Sequence, residues 1–115
     1  MARKGIPIVL SAPSGTGKTT LAHLLVNSMD KLLLSVSYTT RPIRGTEQDG
    51  VNYHFIDEPA FKEMIEKNEF LEWAQVHDNY YGSGLFWTKN NLINGLNVLF
   101  DIDVQGGLQR SEERR

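Results

Sequence analysis

The 115-residue chain has 40% hydrophobic and 10% aromatic residues, which suits one packed domain and leaves too little length for two independent ones. Twelve Lys and Arg against fourteen Asp and Glu give a formal charge of -2, without the basic footprint of a nucleic-acid binder. The absence of cysteine excludes disulfide frameworks, thiol catalysis and thiolate metal sites. No apolar run is long enough for a signal h-region or a membrane span, so the expected setting is the cytoplasm, with no membrane partner.

In chain order, Ile6 to Leu10 is an apolar, β-branched run that reads as a strand buried on both faces. A helix follows over Thr19 to Met29, with Leu21, Leu24, Leu25 and Met29 at helical spacing. Leu32 to Tyr38 reads as a second strand and Asn97 to Ile102 as a third, which together imply a parallel βαβ core. Between them lies a segment richer in aromatics, charges and glycines, read as an inserted subdomain. Within it Val51 to Asp57 and Phe70 to His77 are strand candidates of a mixed sheet. Asp57 is positioned to cap a helix running to about Lys67, with Phe61, Met64 and Ile65 on one face. Thr88 is the expected cap of a further short helix ending at Gly95. The resulting division is residues 1–38 as core, 39–92 as insertion and 93–115 as the return to the core.

Ala12-Pro13-Ser14-Gly15-Thr16-Gly17-Lys18-Thr19 fits the phosphate loop G-x-x-x-x-G-K-[ST] at every fixed position except the first, where Ala12 replaces Gly. Small residues let loop N–H groups converge on phosphate oxygens at a helix N-terminus. Lys18 adds a cation for the transferred phosphate and Thr19 a hydroxyl for Mg2+. Asp101 and Asp103 close the third strand two residues apart, where carboxylates face the crevice at the strand ends; one suits Mg2+ and one a second ligand. Taken alone a D-x-D is a solvated strand end, and the phosphate loop is what reverses that reading.

Arg41 and Arg44 flank Pro42 on a short turn and form a two-fork clamp for a dianionic phosphate, or else an ordinary basic loop. Tyr53, Tyr80 and Tyr81 offer hydroxyl donors to the same anion, although each aromatic taken singly, with Trp73 and Trp87, is expected in the core. Glu72 is a carboxylate in the apolar run Phe70-Leu71-Glu72-Trp73-Ala74. It is either an exposed edge-strand residue or a partner for the N1–H and 2-amino edge of guanine, an edge adenine lacks. His23, His54 and His77 have no metal-ligand spacing.

Together A-P-S-G-T-G-K-T-T, S-V-S-Y-T-T-R-P-I-R-G, F-L-E-W-A-Q-V, N-Y-Y-G-S and D-I-D-V-Q-G-G resemble the guanylate kinase family in order and spacing, over roughly residues 6 to 107. The resemblance implies an α/β fold, a P-loop NTPase-type parallel sheet carrying an inserted mixed-sheet GMP-binding subdomain. The implied reaction is ATP + GMP to ADP + GDP, with Mg2+ as cofactor, Lys18, Arg41 and Arg44 as catalytic groups, and Thr19 and Asp101 on the metal. ATP phosphates fall on Ala12 to Thr19, and the acceptor phosphate on Arg41, Arg44, Tyr53 and Tyr81. Guanine recognition falls on Ser37, Glu72, Gly82, Ser83 and Asp103. The run Gly82-Ser83-Gly84-Leu85-Phe86-Trp87 departs from the family pattern after Tyr-Gly, although Ser83 remains.

Two rivals share parts of this pattern. A guanylate-kinase-like scaffold module binds protein and loses the phosphate loop, against which Gly15, Gly17, Lys18 and Thr19 argue; a sister kinase for another monophosphate is opposed by Glu72 and Y-Y-G-S. The family continues past D-I-D-V-Q-G into further core strands and an arginine-bearing lid, so those C-terminal parts are incomplete in this sequence. For a polypeptide of these residues alone the expectation is residual nucleotide binding, little kinase activity and poor solubility, because the last core strand would keep an unpaired apolar edge.

Overall fold

The structure is a computed structural model, described here for residues 3–12 and 18–103. In chain order the elements are β1 (Pro7–Ala12), α1 (Lys18–Ser28), β2 (Leu32–Leu34), β3 (Tyr38–Thr39), β4 (His54–Phe55), α2 (Glu58–Glu66), β5 (Phe70–Val76), β6 (Asn79–Gly84), α3 (Leu85–Ile93) and β7 (Asn97–Asp103). The chain is α/β, with a parallel three-stranded sheet and a separate mixed four-stranded one. Two compact units divide it: the described residues up to Ser35 with those from Trp87 onward, and Val36–Phe86. The boundaries thus fall at 35/36 and 86/87, where the sequence placed them at 38/39 and 92/93.

In the first unit the sheet order is β1-β7-β2, all parallel. Val98, Leu99 and Phe100 are buried in succession, as a central strand covered on both faces requires. The last strand among the described residues is therefore the central one, and the expected bare edge on β7 is corrected. Both of its edges are paired, and among the described residues β1 and β2 are the edge strands, each pairing only with β7; Val9 of β1 is exposed, so the expected burial of that strand on both faces is corrected as well. The core cluster is Ala22, Leu32 and Leu99, joined by Ile8, Leu10, Leu25, Val26 and Leu34. This also corrects the helix face: α1 presents Ala22, Leu25 and Val26 to the core, while Leu21, Leu24 and Met29 are exposed. Leucines occupy both stripes of that helix, and spacing alone does not choose between them.

Other expectations shift for local reasons. The second strand breaks after Leu34; Ser35 N–H still reaches Leu99 O at 2.9 Å, and Tyr38–Thr39 then joins the other sheet. Val51 to Asp57 yields only the two residues of β4, because Val51 and Asn52 are held in a turn, their N–H groups donating to Gln48 O at 3.2 and 3.1 Å. Asn52 Oδ1 accepts from Gln48 N–H at 2.8 Å and Asp49 Oδ1 from Phe55 N–H at 2.9 Å. Thr88 does not cap α3, which begins at Leu85 and buries Thr88 inside; Gly95, at φ +86°, ends it as expected. Asp57 does cap α2, its Oδ1 accepting from Ala60 N–H at 2.9 Å.

The second unit has the strand order β4-β3-β6-β5. The sequence reading missed β6. His77 (φ 51°) and Asp78 (φ 68°) form a two-residue turn between Val76 and its partner Asn79, with the two positive φ angles of a tight hairpin but neither Gly nor Asn to announce it. Phe61 of α2 is fully buried against the sheet, its ring centroid 4.4 Å from Phe70 and 5.3 Å from Tyr80. Trp73 touches this cluster from a partly exposed position and Trp87 is exposed, so neither is the core residue expected.

Candidate functional site

In the first unit the parallel register sets Leu10 beside Asp101 and Ala12 beside Asp103. The two acidic positions therefore stand at the strand ends next to the start of the phosphate-loop motif. β1 stops at Ala12 and α1 starts at Lys18, so the motif spans a strand end and a helix start, as phosphate binding at a helix N-terminus demands. Thr19 is the second residue of that helix. Pro13 to Gly17 lie outside the described residues, and of Ala12, Lys18, Thr19 and Asp103 only the backbone is described. Asp101 is half-buried. Among the described residues no three His, Cys, Asp or Glu side chains are grouped to hold a metal by themselves. An Mg2+ held by one or two protein oxygens and by substrate phosphates needs no such group.

In the second unit a register shift between Phe70 and Glu72 builds the site. In a regular strand these two residues, i and i+2, share a face. The irregularity sends Phe70 to the α2 side, where it meets Phe61 and, edge-on at 5.7 Å, Tyr38. Glu72 goes to the other face, paired with Ser83, whose hydroxyl donates to Glu72 Oε1 at 2.6 Å. By the same register Tyr81 pairs with Ala74 and with Thr39, placing it on the face of Glu72 and Ser83. Tyr53 stands beside it at 6.0 Å between ring centroids. Gly82 pairs with Trp73 and Tyr38 on the aromatic side, where it makes room for the Phe70 ring. Bulges re-aim side chains in this way, and this one separates the face of Glu72 and Ser83 from the aromatic packing face.

Arg41 is fixed at the exit of β3. Thr39, fully buried, donates through Oγ1 to Tyr80 O at 2.9 Å and accepts from Arg41 N–H at 3.2 Å. The Arg41 guanidinium is 7% exposed and lies over the Tyr53 ring at 5.1 Å and the Phe55 ring at 5.8 Å. It donates to Glu47 through Nη1 at 3.1 Å and Nη2 at 2.8 Å, and through Nη1 to Pro42 O at 3.0 Å. Hydrogen bonding to Glu47 raises the Arg41 pKa, and the same contact holds the Glu47 carboxyl below its ordinary value. Burial pushes the Tyr53 phenol up, so it is a neutral hydroxyl at neutral pH.

Of the residues expected around a monophosphate, one face of this unit therefore brings together Arg41, Tyr53, Glu72, Tyr81 and Ser83. Arg44 is exposed on the same turn as Arg41. Ser37 is half-buried one residue before β3, its carbonyl accepting from His54 N–H at 2.8 Å. Tyr80 points instead to the aromatic side, against Phe61. Glu47 was missed; its signal was a carboxylate six residues after Arg41 and three after Arg44, inside a turn of Gly and Thr. A cavity of about 550 Å³ opens where the parallel strands begin, lined by Arg3, Lys4, Lys31, Asn94 and Asn97 among others; no expected site residue lines it. No helix among the described residues is long and apolar enough to cross a membrane.

The comparisons converge. The family model described as Guanylate kinase matches residues 4–112. A guanylate kinase of Nitrobacter winogradskyi is 51% identical over 113 residues, 98% of this chain and 52% of that protein. One from Zymomonas mobilis is 50% identical over 109 residues, 95% of this chain and 50% of that protein. The crystal structure of guanylate kinase from Anaplasma phagocytophilum superposes with a TM-score of 0.78 at 34% identity, covering 96% of this chain and 55% of that one. The chain thus spans about half the length of the curated relatives it matches.

Proposed function

Since the chain belongs to the guanylate kinase family, we propose that it acts in transfer of the γ-phosphoryl group of ATP to GMP, giving ADP and GDP. The observation that carries this reading is the single sheet face on which Arg41, Tyr53 and Tyr81 accompany the Glu72–Ser83 pair. It offers donors for a phosphate and a carboxylate for guanine. On this reading the unit Val36–Phe86 binds GMP and the unit that carries the phosphate-loop motif takes ATP. Loop amides of Ala12 to Thr19 and the Lys18 ammonium hold the donor phosphates, while Arg41 and Arg44 hold the acceptor and neutralise its charge. Tyr53 and Tyr81 add hydroxyl donors, and Ser37 and Ser83 border the base read by Glu72, whereas Gly82 faces the aromatic packing side.

The hydroxyl of Thr19 and the carboxylate of Asp101 are hard oxygen donors of the kind Mg2+ takes; Asp101 is paired with Leu10 on the strand that leads into the phosphate-loop motif, and Thr19 is the second residue of the helix that follows it. When bound there, the ion would neutralise phosphate charge. The remaining work of the chain is positioning: no nucleophilic side chain and no covalent intermediate is required. The partners on this reading are the two nucleotides, and the absence of cysteine suits a reducing cytoplasm. The experiment is a coupled assay with GMP, AMP, UMP and dTMP as acceptors, run beside calorimetric binding of each. Selective binding and turnover of GMP is the expected result; equal binding of all four, or none of GMP, would refute the reading.

A further inference from the structure

The turn that carries both arginines is organised around one carboxylate. Glu47 N–H donates to Arg44 O at 2.9 Å, and Arg44 N–H donates back to Glu47 Oε1 at 2.8 Å, so the backbone fixes Glu47 independently of Arg41. Gly45, at φ +50°, closes the turn between them in a conformation that side chains resist. Onto this fixed carboxylate the Arg41 guanidinium docks with the edge formed by Nη1 and Nη2. Pro42 O takes the other Nη1 hydrogen. A guanidinium has five N–H bonds in one plane. Glu47 and Pro42 O take three; the second hydrogen of Nη2 and that of Nε lie side by side on the remaining two-pronged edge, with the Tyr53 hydroxyl also close enough to the guanidinium to interact with it.

We propose that Glu47 is a positioning residue that engages the end of the Arg41 guanidinium so that its Nε–Nη2 edge is presented to the acceptor phosphate. This rests on the reading of Arg41 as an acceptor-phosphate ligand. Three features make the device specific. The guanidinium is buried, its Cζ 5.1 Å from the Tyr53 ring centroid and 5.8 Å from that of Phe55, so the two rings confine its position while Glu47 selects the edge that is engaged. The Glu47 carboxylate balances the Arg41 charge, which lowers the repulsion between two arginines on one short turn and leaves Arg44 as the turn's net positive charge toward a dianion. Finally, Glu47 does not have to leave when phosphate arrives, because the two oxyanions use different edges.

The test compares GMP with guanosine, which lacks the phosphate, in calorimetric titrations of the wild-type chain and of Glu47→Gln, Glu47→Asp and Arg41→Ala. In Glu47→Gln the advantage of GMP over guanosine is expected to fall by about 10- to 100-fold, the scale of hydrogen bonds to a charged group, with guanosine affinity unchanged. Glu47→Asp, which keeps the charge, should recover part of it. A role confined to folding would move both ligands together and would overturn the proposal, as would tighter GMP binding in Glu47→Gln. If Arg41→Ala leaves the GMP advantage intact, the phosphate reading itself fails; if Arg41→Ala abolishes it and Glu47→Gln does not, only the positioning role fails. A measurement on the unaltered chain guards against a variant that does not fold. On addition of GMP the Arg41 Nε–H resonance should shift while the Glu47 carboxyl keeps its depressed titration, and a Glu47 that returns to ordinary carboxylate behaviour would sink the proposal.

Discussion

Replacing Gly82 with alanine probes the partition between the two faces of the mixed sheet. A Cβ at this position would lie 2.8 and 2.9 Å from two carbons of the Phe70 ring and 3.2 Å from Glu72 O. The ring has little freedom to withdraw, because Phe61 stacks on it at 4.4 Å and Tyr38 meets its edge at 5.7 Å. Overpacking of this kind costs about 1–3 kcal/mol, and the reduced freedom of the unfolded chain returns about 0.4–1. A net loss of about 1–2 kcal/mol follows. Gly84→Ala is the internal control on the same strand: its Cβ would meet nothing closer than Tyr38 Cε1 at 3.5 Å, an ordinary contact. Urea denaturation followed by aromatic fluorescence should show a lower midpoint for Gly82→Ala and an unchanged or higher one for Gly84→Ala. Because the strain falls beside Glu72 and between Tyr81 and Ser83, GMP affinity should decline in Gly82→Ala alone. Equal midpoints for the two variants would show that Phe70 is not wedged across Gly82, and the account of the bulge would be wrong.

Glu72→Ala should erase discrimination between GMP and AMP, since sites that hydrogen-bond a substrate group separate analogues by on the order of 10^4; unchanged preference in binding competition would refute guanine reading by this carboxylate. Phe61→Ala removes the fully buried ring at the centre of the aromatic cluster, at about 3–5 kcal/mol. That is the size of the whole stability of a segment of about 50 residues at roughly 0.05–0.15 kcal/mol per residue, so near-UV dichroism and GMP binding should both vanish, and persistence of either contradicts the packing described. Acid acts through Glu47. Its folded pKa is depressed by Arg41, so its contribution is complete above the ordinary carboxylate value and is lost as pH falls through the lower folded one. The stability gap between wild type and Glu47→Gln should therefore shrink as pH falls below about 4.5, and a gap equally wide at both ends of that range would contradict the ion pair.

What the sequence revealed depended on whether a signal was local. The phosphate-loop motif, the Asp57 cap and the terminator Gly95 are short-range chemistry, and the described parts of each lie where spacing put them. The apolar run Asn97 to Ile102 was legible as a strand, but its central place between β1 and β2 is decided by long-range pairing that no run of residues encodes. The hairpin at His77-Asp78 escaped notice because its two residues carry no turn signature, which in turn hid β6. For the candidate site, Glu72 and Ser83 were identified separately, and only the register makes them partners. Glu47 shows the reverse limit: a charged residue in a polar loop reads as solvated until the fold buries an arginine against it.

The late arrival of β7 at the centre of the parallel sheet also governs the order of events during synthesis. β1 and β2 emerge early yet share no hydrogen-bonded ladder with each other; each pairs only with β7. Roughly sixty residues separate Leu34 from Asn97, so at 5–20 residues per second β2 waits about 3–13 s for the common partner and β1, which ends at Ala12, waits longer. During that interval the stretch that carries β3 to β6 is complete and contiguous, free to close its own hairpin and aromatic cluster. The ribosome thus delivers the mixed sheet before the parallel sheet can exist. The nascent chain spends those seconds with two apolar segments exposed, a window in which chaperone engagement would have its greatest effect.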